Sequence, residues 1–215
     1  MASRSGIMTP APATSRGSIC WLLAAALAAS AAAASVRAQD DDLELVHLTL
    51  DEALAEAFPQ ADSLWTETWT PAAAERAALE RLLGWRLEEA AFVFHRAARM
   101  PAGGGRTSHH REDLGWAVVT EQIGHHRPIT FLVHVKPDGD VGSVHVMVYR
   151  ESRGGEIRRE RFLRQYRGKN RDSPLRLNRD IVGISGATLS VRAANASVRR
   201  VLALVAARYG AGKDG

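Results

Sequence analysis

Cysteine is almost absent from this sequence, and its absence removes several classes of protein. The 215 residues include one cysteine, Cys20, which lies in a segment that we expect to be removed on export. A mature chain without a thiol excludes disulfides, thiolate zinc sites and cysteine-ligated iron–sulfur clusters. The Cys-x-x-Cys-His motif of covalent c-type haem is also missing. No glycine-rich phosphate-binding fingerprint follows a predicted strand. Cofactors that depend on these motifs are therefore excluded.

Acidic residues are missing from positions 1–38. Arg4 and Arg16 precede a charge-free run at 19–35, after which Val36-Arg37-Ala38 leads into an acidic stretch. This pattern predicts a secretory signal peptide over 1–38, cleaved after Ala38. The alternative is an uncleaved membrane anchor. The charge-free run is only slightly shorter than the ~20 apolar residues that a spanning helix needs. Either way we expect a periplasmic or other extracytoplasmic protein, free or associated with the membrane.

A strong excess of one charge is also lacking. Subtracting the three arginines of the leader from the 28 basic residues leaves 25, against 24 acidic ones. This balance argues against a general nucleic-acid binder. The stretch from Arg150 to Arg179 nevertheless holds ten arginines and one lysine. Two interpretations stay open: a solvated surface laced with ion pairs, or a surface that steers the protein toward an acidic partner and offsets phosphate charge.

Internal repeats and proline- or glycine-rich linkers are absent between residues 40 and 210. Helices are predicted at 48–57, at 70–83 opening with Thr70-Pro71, at 156–165 and at 189–209, and strands at 91–96, 114–121, 129–135 and 142–149. The order predicts an α+β fold, with an antiparallel meander flanked by N-terminal helices and a C-terminal helix. We expect a helical segment at 39–89, packed on a domain at 90–210.

The segment with the clearest chemical meaning is Ser185-Gly186-Ala187-Thr188, directly before the last predicted helix. Free N–H groups and the positive end of the helix dipole converge at such a turn, and glycine permits close approach. The place would bind a phosphate well. The alternative is an ordinary N-cap, because Ser and Thr are common caps.

This tetrapeptide resembles the flavinylation motif of the FMN-binding domain family. That family includes the FMN-carrying subunits of the sodium-pumping NADH:quinone oxidoreductase and of the Rnf complex. The resemblance implies that Thr188 accepts FMN through a phosphoester bond. It also implies a partner, a flavin transferase that uses FAD as donor together with magnesium. FMN is therefore the expected cofactor.

Further segments carry the same resemblance over roughly residues 90 to 208. The segment 149–155 is similar to the family's glutamate, Thr/Ser and glycine segment, 162–169 to its aromatic-Gln-aromatic-Gly-Lys segment, and 124–135 to its central hairpin. The cofactor-binding residues that the resemblance implies are Thr188, Ser185, Gly186, Ala187, Glu151, Ser152 and Gly154. One position departs from the family pattern: Val182 stands where an aspartate is usual, and the nearby carboxylate is Asp180.

Other candidate sites are weaker. His109-His110 and His125-His126 flank one predicted strand and could meet around a metal, but polar loops often hold histidines, so no metal ligand is assigned. Trp116 could stack on a flavin ring, or it belongs to the core. No catalytic grouping is assigned either.

The sequence therefore favours an electron carrier over a stand-alone enzyme, with a membrane or periplasmic redox partner. The alternatives are a non-covalent FMN-binding module, a structural subunit of a membrane redox complex, and a flavin reductase.

Overall fold

The computed structural model describes residues 45–101 and 111–210, and these residues belong to one compact unit. Within the described residues, six strands form one antiparallel sheet in the order β1-β6-β5-β4-β3-β2. The strands are β1 Leu45–Val46, β2 Ser63–Trp69, β3 Phe92–Arg99, β4 Glu112–Ile123, β5 Pro128–Val135 and β6 Val141–Tyr149.

Helices lie before, within and after the run of strands. They are α1 Leu50–Ala57, α2 Ala73–Leu83, the single turn α3 Glu160–Leu163, and α4 Thr188–Tyr209, with 3-10 turns at Gly155–Arg158 and Arg164–Tyr166. Strands β3 to β6 are consecutive neighbours in the sheet, so they form the predicted meander. The predicted α+β class is confirmed.

The sheet is buried on both faces, and its period-2 alternation sends neighbouring side chains to opposite sides. On one face, Phe131 and Val133 of β5 pack in the main core together with α4 and α2. On the other face, Leu132 joins a smaller core with Leu54 and Phe58, which belong to α1 and its C-terminal end. Helix α4 therefore lies across the middle of the sheet and is held there by apolar contacts along its length.

Local contacts define the ends of the first two helices. Thr49 caps α1 through a reciprocal pair with Glu52, in which the Glu52 N–H donates to the Thr49 hydroxyl at 3.3 Å and the Thr49 N–H donates to the Glu52 carboxylate at 2.8 Å. Gly84 ends α2 in the left-handed conformation, with φ +83°. The start of α2 was misplaced: its N-cap is Ala72 rather than Thr70, because Glu75 accepts the free N–H of Ala72 at 2.8 Å.

Strand β2 is the main element that the sequence reading passed over. It lies inside the segment 39–89, which was expected to be helical, and pairs with β3 from Ser63 to Trp69. Its two threonines and two tryptophans are residues enriched in strands, and this is the signal that could have predicted it. The N-terminal segment therefore contributes strands to the sheet as well as helices.

The single charged helix expected at 156–165 is wrong. A 3-10 turn, α3 and a second 3-10 turn replace it, with Arg159 in extended conformation between the first two. Ile157, Phe162 and Tyr166 are all buried. In one continuous helix, Ile157 and Phe162 would point about 140° apart. The backbone breaks so that both can reach the core.

The predicted leader at 1–38 and His109-His110 lie outside the described residues. No helix in the described part of the chain is long and apolar enough to cross a membrane.

Candidate functional site

The turn before α4 is built so that one residue anchors it and its hydroxyls face solvent. The Ala187 N–H donates to the Ile184 carbonyl at 3.0 Å, and the Ala187 side chain is buried. Gly186 has φ +79°, a conformation that costs glycine little, and its α-carbon faces open space. Ser185 and Thr188 are exposed. The turn thus presents two hydroxyls at the start of a 22-residue helix.

The alternative that Thr188 is an ordinary N-cap is wrong. The N-cap is Ala187, no side chain caps the helix, and Thr188 is its first residue. The N–H groups of Thr188, Leu189 and Ser190 have no acceptor within residues 45–101 and 111–210, and the Thr188 hydroxyl makes no hydrogen bond there. Three free donors and the helix dipole therefore remain for an anion.

The glycine segment after β6 packs directly against this turn. Gly154 has φ +81°, and a Cβ placed on it would lie 3.0 Å from the Ala187 Cβ and 3.1 Å from the Ser190 Oγ. The Tyr149 hydroxyl donates to the Arg153 carbonyl and lies 3.3 Å from the Ser190 Oγ. Of the predicted set, Gly154 and Ala187 are thus in contact, and Thr188 directly follows Ala187. The sequence reading missed Ser190 and the contact of Tyr149 with it, because a buried serine inside a helix has no local signature.

Glu151 organises a neighbouring turn. One of its carboxylate oxygens accepts the N–H groups of His125, His126 and Arg127 at 2.6, 2.7 and 2.9 Å. Partial burial acts to raise the pKa of Glu151, but these three donors outweigh it and hold the pKa below its ordinary value. Ser152 is exposed. In the described part of the chain, neither Glu151 nor Ser152 hydrogen-bonds Thr188.

The loop that leads into the turn is held by side chains from the preceding segment. The Val182 N–H donates to the Gln165 Oε1 at 2.8 Å, and the Gln165 Nε2 lies 3.5 Å from the Val182 carbonyl oxygen. The Asp180 carboxylate accepts the Arg176 N–H at 2.8 Å and pairs with Lys169 at 3.3 Å. Burial acts to raise the pKa of Asp180, but these partners lower it overall. The carboxylate of Asp180 therefore orders the loop.

The family model of the FMN-binding domain matches residues 124–203. This part of the chain is an FMN-binding domain. The matched residues run from the turn that Glu151 holds into the second half of α4, so they include every predicted site residue. FMN, the cofactor expected from the sequence, is confirmed by this match. No curated protein matches the chain.

The exposed start of α4 fits the phosphate of FMN. A phosphate needs donors and positive potential, and the free N–H groups of Thr188, Leu189 and Ser190 supply both. In the FMN-binding domain the side chain of Val182 is 72 % exposed. A carboxylate at this position would be exposed on the surface, three residues before Ser185. The carboxylate of Asp180 is instead occupied by the Arg176 N–H and by Lys169.

Arginines of the stretch 150–179 divide into two groups. Some are paired, as Arg150 is with Glu121 at 3.4 Å and Arg167 with Glu160 at 2.6 Å. Others are exposed and have no side-chain partner among the described residues: Arg153, Arg159, Arg161, Arg164, Arg176 and Arg179. The stretch is thus a surface with ion pairs that also carries a surplus of free positive charge.

The remaining candidates form no further site among the described residues. Trp116 is buried and stacks on Tyr209 at a ring distance of 4.8 Å, so it belongs to the core at the far end of α4. His125 and His126 contact one another edge to face, with ring centroids 3.7 Å apart. Among the described residues, no group of three or more His, Cys, Asp or Glu side chains could hold a metal ion.

Proposed function

We propose that this protein is an exported electron carrier that holds FMN through a phosphoester bond to the hydroxyl of Thr188. The observation that carries the proposal is the exposed Thr188 hydroxyl, which caps nothing and stands beside the free N–H groups at the start of α4. A partner enzyme can approach such a hydroxyl, and the phosphate that it receives is stabilised where it arrives.

The attachment replaces one bond of FAD with one bond to the protein. The Thr188 oxygen forms a bond to the phosphorus on the FMN side, the pyrophosphate bond breaks, AMP leaves, and the hydroxyl proton passes to solvent or to a base of the transferase. The free N–H groups of Leu189 and Ser190 would then face the phosphate, and the loop held by Gln165 and Asp180 would keep the hydroxyl in place. The bound flavin supplies the redox chemistry, while the protein supplies position and charge.

A carrier role follows from the exposure of the turn. Ser185, Gly186 and Thr188 are open to solvent, so a flavin tethered there would be reachable by a larger redox partner. A covalent tether would also prevent loss of FMN outside the cytoplasm, where we place the protein because of its leader-like first 38 residues. The free arginines would favour an acidic partner, in the periplasm or on a membrane complex.

The test is co-expression of Thr188→Ala with a flavin transferase. The wild type should gain the mass of one FMN phosphoester and fluoresce in a denaturing gel, and Thr188→Ala should lose both. Folding should be unaffected, because an exposed substitution typically changes stability by no more than ~0.5 kcal/mol. Thr70→Ala, which removes an exposed threonine hydroxyl outside the predicted site residues, is the matched control and should label normally. Intact mass of protein from the native host should also show a chain beginning near Gln39.

Non-covalent FMN binding is the second candidate, and the exposed Val182 favours it. If the usual aspartate is needed by the transferase, Val182→Asp should raise the fraction of protein that carries covalent flavin. Covalent flavin that persists in Thr188→Ala would contradict the site. Flavin that is always lost on denaturation, with Val182→Asp as well, would establish the non-covalent alternative.

A further inference from the structure

A groove with its own lining residues lies apart from the turn at 185–188. A groove of about 710 Å³ opens between α2, the loop at 171–179 and the second half of α4. This volume falls within the about 300–1,000 Å³ that is usual for small-molecule sites. None of the residues that line it belongs to the turn at 185–188 or to the segment at 149–155.

One side of the groove is apolar. Leu79 of α2, Leu175 of the loop and Leu202 of α4 line it and are each 3 % exposed. Leu82 also lines the groove and is 70 % exposed, an unusual position for a leucine unless something covers it. An apolar body placed against these side chains would remove further surface from water, which is favourable.

The other side of the groove is cationic. Arg176, Arg179 and Arg199 line it together with Arg171, and the one acid is Glu75. Glu75 is engaged at the N-cap of α2, and Arg199 donates to the Pro174 carbonyl at 3.3 Å. The guanidinium groups of Arg176 and Arg179 have no partner in the described part of the chain. The groove therefore carries a surplus of positive charge beside its apolar wall.

We propose that this groove binds a small amphipathic anion, an alkyl carboxylate, with its chain against Leu82 and Leu202 and its carboxylate on Arg176 and Arg179. A neutral apolar ligand would leave Arg176 and Arg179 without a counter-charge, and a fully polar anion would leave Leu82 exposed. Arginine suits the head group because its planar fork matches a carboxylate.

The groove is separate from the start of α4. Arg199 follows Thr188 by eleven residues in the same helix, which corresponds to roughly 16 Å along the axis. The proposal does not depend on covalent flavin, and the experiment can use protein that carries none.

The experiment is calorimetric titration of dodecanoate, below its micelle concentration, into Thr188→Ala protein. One saturable site is expected. The double variant Arg176→Gln/Arg179→Gln should bind roughly tenfold more weakly or worse, because hydrogen bonds to charged groups are the strong ones. Leu82→Asp, at an exposed position, should weaken binding to a similar degree.

Two controls separate this site from general charge and stickiness. Arg161→Gln/Arg164→Gln makes the same charge change outside the groove and should bind dodecanoate with unchanged affinity. Dodecyltrimethylammonium, which has the same chain and the opposite charge, should not bind. Dodecanoate binding that is equal in all variants, or no binding at all, would overturn the proposal. So would competition by bound FMN in wild-type protein, or capture of phosphatidylglycerol vesicles without binding of free dodecanoate.

Discussion

At the scale of single residues, some of the predicted site residues fix the conformation of the backbone around the turn at 185–188. Glu151 illustrates this. Its carboxylate accepts three successive N–H groups of the turn at 125–127. A carboxylate is needed because a charged acceptor makes hydrogen bonds about twice as strong as a neutral one. Glu151 therefore fixes the end of the β4–β5 hairpin.

Replacing Glu151 with glutamine should lower the free energy of unfolding by about 1 kcal/mol at pH 7. The folded-state pKa of Glu151 lies below its ordinary value of 4.5. Its stabilisation is therefore complete above that value and is lost as the pH falls through the folded-state pKa. Urea unfolding at several pH values should show the difference between the two proteins shrinking below about pH 4.5. Glu156→Gln, an exposed neighbour, should behave as the wild type throughout; a constant difference would contradict this account.

Gly154 gives a second test at the same scale. An alanine there would have φ +81° and would press its Cβ to within about 3 Å of Ala187 and Tyr149. Gly168, with φ +73° and open space around it, provides the matched control. Gly168→Ala should cost only the backbone strain, about 1–2 kcal/mol. Gly154→Ala should cost more in urea unfolding, because the neighbours must also move. It should also lower the covalent flavin yield, whereas Gly168→Ala should not. Equal costs and equal yields would show that Gly154 does not position the turn.

At the scale of elements, the start of α4 is predictable from the sequence. The long-range hydrogen bonds that hold this region in place are not. Ser185-Gly186-Ala187-Thr188 followed by an apolar period of 3.6 locates both the turn and the helix. Glycine, a small residue and a helix start are local signals. The pairing of Gln165 with Val182 spans 17 residues and follows no local rule. The bond from Tyr166 to Asn195, 2.6 Å long and buried, spans 29 residues.

The same contrast explains the wrong elements. Strands β3 to β6 contain segments rich in β-branched and aromatic residues, as in Phe131 to Val135, so their composition carries the prediction. Residues 156–165 have helical propensity, but the burial of Ile157 and Phe162 overrides it, and only the finished core can show that. Strand β2 exposes Leu64 and Trp65, so an edge position hides its pattern. The role proposed for Thr188 comes from the resemblance, because physical reasoning alone left both a phosphate site and an ordinary cap open.

At the scale of the whole molecule, α4 joins two surfaces of different chemistry. Its N-terminus carries the free N–H groups and the exposed Thr188, and its second half lines the groove beside α2. Between these ends the helix is buried against β4 and β5. A rigid helix of this kind keeps the turn at 185–188 and the groove at a fixed separation. A partner with a small contact surface therefore cannot cover both.

The free arginines should act on electron transfer through their field. Arg153 adjoins Gly154, which packs against the turn that we propose to carry FMN. Oxidation of the reduced, FMN-loaded protein by ferricyanide, an anion, should therefore slow as salt is added. Oxidation by tris(phenanthroline)cobalt(III), a cation, should speed up. Salt screens the attraction of the arginines for the anion and their repulsion of the cation, since at physiological salt charge acts over only ~8 Å.

Arg153→Gln should weaken the salt dependence of both oxidation rates in stopped-flow measurements. Arg81→Gln, an exposed arginine on α2, should leave them unchanged. If neither oxidant responds to salt in the wild type, the arginine-rich stretch is an ordinary solvated surface, and an acidic partner has no electrostatic reason to prefer this face.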